Sequence, residues 1–178
     1  MDDNGKIRRT AIIGGTFNAM HQGHKDYIKL AFDFADKVIV LLTTDKYAQS
    51  CKKYPVTPYE TRKNCLENYI FEINGSKPHQ ICEMDSECSL IRYCIENDIT
   101  MAIIIPEYYS LFQKINHIRE DEGAHPLLLI IKERTKTAEG FCISSTLINN
   151  LTCDQRLSPK HYSPELANYA ASQKYSFN

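Results

Sequence analysis

Apolar residues along this chain fall into two alternating patterns. Continuous runs at Ala11-Ile12-Ile13, Val38–Leu42, Met101–Ile105 and Leu127–Ile131 suit strands covered on both faces. Between them, apolar residues recur every three or four positions, as on one helix face. The predicted order is a strand at 7–14, a helix at 23–34 and a strand at 37–43. A helix from Pro58 to about Ile73 follows, capped by Thr57, then a short strand at 79–84 and a short helix at 89–97. Next come a strand at 101–105, a helix from Pro106 to Gly123, and a strand at 127–131. Residues 44–57 read as a polar loop. A short helix is expected at 144–151 and a last one from Ser163-Pro164-Glu165 to about Lys174.

Strands alternating with helices define an α/β class. The expectation is a Rossmann-like open parallel five-stranded sheet with helices on both faces. Residues 1–178 are expected to form a single domain, with 1–6 a loose tail and 152–178 a C-terminal helical segment. Ligands of such sheets bind outside the carboxyl ends of the strands, where strand order reverses. Thr16, Thr43, Pro106 and the segment after Lys132 fall at those ends.

Charge and cysteine content narrow the partners. A net charge of −1 argues against nucleic-acid binding through bulk charge. Seven cysteines with no Cys-x-x-Cys pair suggest free thiols in a reducing cytoplasm. No apolar run approaches the roughly 18 residues of a membrane span.

The stretch Gly14-Gly15-Thr16-Phe17-Asn18-Ala19-Met20-His21-Gln22-Gly23-His24 carries the chemistry. A strand that breaks on glycines and opens a helix presents backbone N–H groups to an anion. His21 and His24 add donors that can become cationic. Their spacing could also begin a zinc site, but Gly23 between them and the lack of a completing ligand set argue against one, so no metal ligand is expected. Ile143-Ser144-Ser145-Thr146 offers hydroxyls at the start of a second helix.

Together these two segments resemble the signature of the HxGH nucleotidyltransferase superfamily. By that resemblance Gly14, Gly15, Phe17 and Gly23 shape the nucleotide site, and Thr16 holds a phosphate. His21 and His24 bind the ATP phosphates and stabilise charge on the reacting phosphorus and the leaving pyrophosphate. Ser144, Ser145 and Thr146 bind the β- and γ-phosphates. Three further segments resemble the archaeal and eukaryotic type of phosphopantetheine adenylyltransferase. They are Lys52-Lys53 followed by Pro55-Val56-Thr57-Pro58-Tyr59-Glu60-Thr61-Arg62, then Pro106-Glu107, then Lys114-Ile115-Asn116-His117-Ile118-Arg119. The resemblance implies substrate contacts from Lys52 or Lys53, Arg62 and Asn116, with Lys53 the expected catalytic lysine. It also implies a nucleotide contact from Arg119, and ATP with Mg2+ and 4′-phosphopantetheine as reactants. His79, His117, His125 and His161 read as surface or structural.

Asn18 stands where that superfamily usually has Asp, Tyr108 where Thr is usual, Leu111 where Gly is common, and Leu147 where a basic residue often follows. Two other readings stay open at this level. One is a cytidylyltransferase or other nucleotidyltransferase acting on a different phosphorylated acceptor. The other is a non-catalytic nucleotide sensor. The sequence sets no oligomeric state.

Overall fold

The structure is a computed structural model. It describes residues 8–74, 76–136, 140 and 142–145. Strand β1 (Thr10–Gly15) leads to helix α1 (Gln22–Phe34) and strand β2 (Lys37–Thr43). Helices α2 (Asp45–Cys51) and α3 (Tyr59–Asn74) follow, then β3 (His79–Met84) and α4 (Glu87–Glu96). Strand β4 (Met101–Ile104) runs through a single 3-10 turn at Pro106–Tyr108 into α5 (Tyr109–Asp121) and β5 (Leu128–Ile131).

All strands are parallel, in the order β3-β2-β1-β4-β5. This is the expected open sheet. Strand order reverses between β1 and β4, which places the switch crevice above Gly15 and Ile104.

Alternation along each strand divides the core between two faces. Ile13, Val40, Leu42 and Ile103 pack beneath α1 and α3, against Ile28, Ala31, Leu66 and Ile70. Ile12, Ile39, Leu41 and Ile104 pack beneath α4 and α5, against Leu90, Cys94, Phe112 and Ile115. Burial on both faces explains why the central strands read as unbroken apolar runs.

Three boundaries depart from expectation for local reasons. The segment read as a loop contains α2, whose N-cap Thr44 accepts the Tyr47 N–H at 3.3 Å, with Asp45 in the first turn. Only Ala48 of this helix is buried, so no apolar stripe announced it. Helix α4 begins two residues earlier than predicted, because Ser86 and Ser89 form a reciprocal capping box. Helix α1 begins before Gly23, with His21 as its cap. The expected helices at 144–151 and 163–174 fall on or run into residues outside those described. Among the described residues, no helix is long and apolar enough to cross a membrane.

Candidate active site

A cavity of about 470 Å³ opens over the carboxyl ends of β1 and β4. Gly14, Gly15, Thr16 and Phe17 line it from the end of β1. His21, Gly23 and His24 line it from the start of α1, and Ser144 and Ser145 from the second hydroxyl segment. The two segments that are far apart in sequence therefore share one cleft. Thr146 lies outside the described residues.

The β1–α1 loop is held in an uncommon shape. Phe17 and Ala19 adopt positive φ values of 49° and 48°. For residues with a Cβ this conformation costs on the order of 1 kcal/mol each. Burial offsets it at Phe17, whose ring is 2% exposed and packs 5.2 Å from the His24 ring. The turn also brings His21 and His24 face to face, with ring centroids 3.7 Å apart and planes 16° from parallel. A Cβ on Gly23 would lie 3.1 Å from the His21 ring and 3.5 Å from the Ile143 carbonyl. That close approach is why a glycine separates the two histidines.

His21 does two jobs. Its Nδ1 accepts the His24 backbone N–H at 3.3 Å, capping α1 in the role usually taken by Ser, Thr, Asp or Asn. The accepting nitrogen carries no proton, so a neutral His21 presents its N–H at Nε2. Burial pushes its pKa down to about 4, and the nearby cations Lys132 and Arg134 add to the shift. Burial likewise holds His24 well below the usual histidine range, aided by His21 and Lys52. Both rings are therefore neutral at neutral pH, whereas the sequence reading allowed them to become cationic. Neutrality also permits the stacking, since two imidazolium rings so close would repel. The Nδ1 of His24 is buried without a hydrogen-bond partner. Orphaned polar atoms are rare in folded proteins and concentrate at functional positions.

Asn18, 3% exposed, joins three segments. Its Oδ1 accepts the Thr57 N–H at 2.8 Å, and its carbonyl accepts the Ser145 hydroxyl. The Oδ1 role needs only an acceptor, which Asp and Asn both supply. The departure from Asp at this position therefore leaves the loop's anchoring intact.

Four expected ligands take other roles. Arg62 is 1% exposed, does not line the cavity, and uses all five of its N–H groups within the protein. It donates to the Thr57, Thr16 and Thr43 carbonyls at 2.7, 2.8 and 2.9 Å. It also donates to Thr43 Oγ1 at 3.5 Å and Asp45 Oδ1 at 2.7 Å. No donor is left for a substrate. Arg119 lies at the opposite end of the sheet, donating to the carbonyls of His125, Ile99 and Cys94. Asn116 pairs with both backbone groups of Leu127, at 3.0 and 2.8 Å. Lys53 is exposed and off the cavity, whereas Lys52 lines it.

Lys132, Arg134 and Thr135 line the cavity and were not singled out from sequence. The available signal was two cations directly after the last strand, at the strand ends where ligands of such sheets bind. Tyr27 lies within the helix predicted at 23–34. Its hydroxyl donates to the Ile103 carbonyl at 2.6 Å, tying α1 to β4 beneath the site.

Fold and cavity define an α/β protein with a cleft at the switch point of its parallel sheet. The chain belongs to the cytidylyltransferase-like family, whose model matches residues 12–151. It is 35% identical over 139 residues to the phosphopantetheine adenylyltransferase of Methanosarcina acetivorans, covering 76% of this chain and 86% of that protein. It is 34% identical over 151 residues to the bifunctional phosphopantetheine adenylyltransferase/NTP phosphatase of Thermoplasma acidophilum. That match covers 83% of this chain, which spans only 45% of the Thermoplasma protein. Among solved structures, a protein of unknown function from Archaeoglobus fulgidus superposes with a TM-score of 0.61 at 23% identity, covering 76% of this chain and 99% of that one. The pantoate-beta-alanine ligase of Francisella tularensis gives 0.54 at 14% identity, covering 96% and 80%. Likeness at these identities speaks for the fold alone.

Proposed function

We propose that the chain transfers the adenylyl group of ATP to 4′-phosphopantetheine, forming dephospho-coenzyme A and releasing pyrophosphate. The observation that carries this reading is the convergence of Gly14–Thr16, the stacked His21 and His24, and Ser144-Ser145 on one cavity. The names of the archaeal relatives supply the acceptor and the nucleotide.

The acceptor phosphate is already anionic at neutral pH, so it needs no activating base. It attacks the α-phosphorus in line. The bond from that phosphorus to the bridging oxygen breaks, and pyrophosphate leaves with the electron pair. Catalysis then rests on positioning and on stabilising charge in the transition state. His21 and His24 serve as neutral donors to phosphate oxygens, Lys52 as a cation, and Thr16, Ser144 and Ser145 as hydroxyl donors. Mg2+ accompanying ATP would supply charge neutralisation at the phosphates, with no protein ligand assigned to it. Among the described residues, no three His, Cys, Asp or Glu side chains group to hold a metal ion. Cys51, Cys65, Cys82, Cys88, Cys94 and Cys142 are free thiols, which suits a cytoplasmic setting.

Measuring pyrophosphate release with ATP and 4′-phosphopantetheine, against CTP and phosphocholine, tests the assignment. Release with the first pair alone is expected. Release only with the second would reassign the acceptor. ATP binding without pyrophosphate release from either pair would make the protein a nucleotide sensor.

A further inference from the structure

Three cations reach the cavity from separate places: Lys52 after α2, and Lys132 and Arg134 after β5. The segment carrying the last two is tied directly to the hydroxyl segment. The Ile143 N–H donates to the Thr135 carbonyl at 2.8 Å, and Lys136 and Cys142 form an antiparallel bridge. Lys132 and Arg134, two residues apart, line the same cavity as Ser144 and Ser145.

The two cations are held differently. Lys132 Nζ donates to the Glu133 carbonyl at 3.0 Å and to Thr135 Oγ1 at 2.9 Å. Thr135 in turn donates to Asp26 Oδ2 at 2.6 Å, on α1. Lys132 is thus tied through Thr135 to α1. Among the described residues Arg134 has one side-chain partner, Glu107. Its Nε and Nη2 both meet a single oxygen, Oε1 of Glu107, at 2.7 Å. That geometry leaves three guanidinium N–H groups uncommitted among the described residues. The side chains are 37% and 50% exposed, and an ion pair so open to water contributes little and is readily exchanged. A triphosphate in the cavity offers more charge and more acceptors than one carboxylate.

We propose that Arg134 is a nucleotide-phosphate ligand which Glu107 holds in the ligand-free state. On nucleotide binding it exchanges Glu107 for the terminal phosphates, beside the fixed ammonium of Lys132. This deepens the adenylyltransferase reading and rests on it for the identity of the nucleotide. Glu107 then acts as an internal competitor that sets nucleotide affinity.

The test is calorimetric binding of ATP, pyrophosphate and adenosine to wild type, R134A, E107Q and the double variant. R134A should weaken ATP and pyrophosphate on the order of tenfold and leave adenosine unchanged. E107Q should tighten ATP about threefold, and that gain should vanish when R134A is also present. Equal ATP and pyrophosphate affinity in wild type and R134A overturns the proposal. So does a gain from E107Q that persists without Arg134, which would reduce Glu107 to a repelling charge. If R134A does not fold, unchanged ATP affinity in E107Q overturns it alone. Binding is read without an acceptor, so absent pyrophosphate release would fault the assigned reaction and leave this test standing.

Discussion

Arg62 and Arg119 lie inside the protein, while Lys52, Lys132 and Arg134 line the cavity. Each inner arginine donates to three backbone carbonyls, and Arg62 also to Thr43 Oγ1 and Asp45 Oδ1. Arg62 gathers Thr16, Thr43 and Thr57 at the carboxyl end of the sheet, and Arg119 gathers Cys94, Ile99 and His125 at the other end. Among the described residues the cations at the cavity keep N–H groups in reserve, and they are partly exposed to water. A buried guanidinium organises chain, whereas a partly exposed cation with spare donors can exchange partners. Arg62 stands between the roles, because the Thr16 and Thr43 carbonyls it holds belong to residues that frame the cavity.

Replacing each inner arginine by Met gives the largest expected effect. Stranding three carbonyls should cost about 3–5 kcal/mol, read as a fall in Tm of roughly 10 °C. Arg119→Met should leave kcat/KM of the folded protein within about twofold, while Arg62→Met should lower it as well. Identical activity profiles would erase the distinction between the two ends.

Acid should reveal the buried imidazole. The folded pKa of His21 lies near 4 against an ordinary 6.5, so the unfolded chain binds more protons between those values. Its contribution, about 3 kcal/mol, is present above pH 6.5 and lost as pH falls through 4. His21→Asn keeps a capping oxygen and removes the titration, so its denaturation midpoint should vary less with pH across that window. An unchanged slope would mean that His21 is not buried neutral.

His24→Ala should lower turnover by on the order of a hundredfold, comparable to losing one preorganised donor to a developing oxyanion. Unaltered turnover removes His24 from the chemistry. The smallest effect separates the adjacent lysines. Lys52→Ala should raise KM for the nucleotide about tenfold, and Lys53→Ala by less than about twofold. The reverse ranking would move the contact to the residue that the structure leaves in solvent.

Much of the site was legible because its chemistry is local. Glycines at a strand end, a histidine pair around Gly23 and a hydroxyl run each mark a candidate anion-binding turn within a few residues. Asn116 and Arg119 misled for the opposite reason. Three residues apart on α5, they looked like a ligand pair, yet each binds backbone groups brought near by β4 and β5. Helix α2 escaped notice because it buries only Ala48.

The order of strands and helices apart from α2, the parallel sheet and the two candidate phosphate motifs were determined by sequence alone, since periodicity and turn chemistry act over a handful of neighbours. Which cations meet the cavity and which are consumed inside was decided only by tertiary structure. The charge state of the histidines was decided there too. Both depend on burial and on which carbonyls and carboxylates the fold sets within 3 Å or so, and no local pattern records those distances.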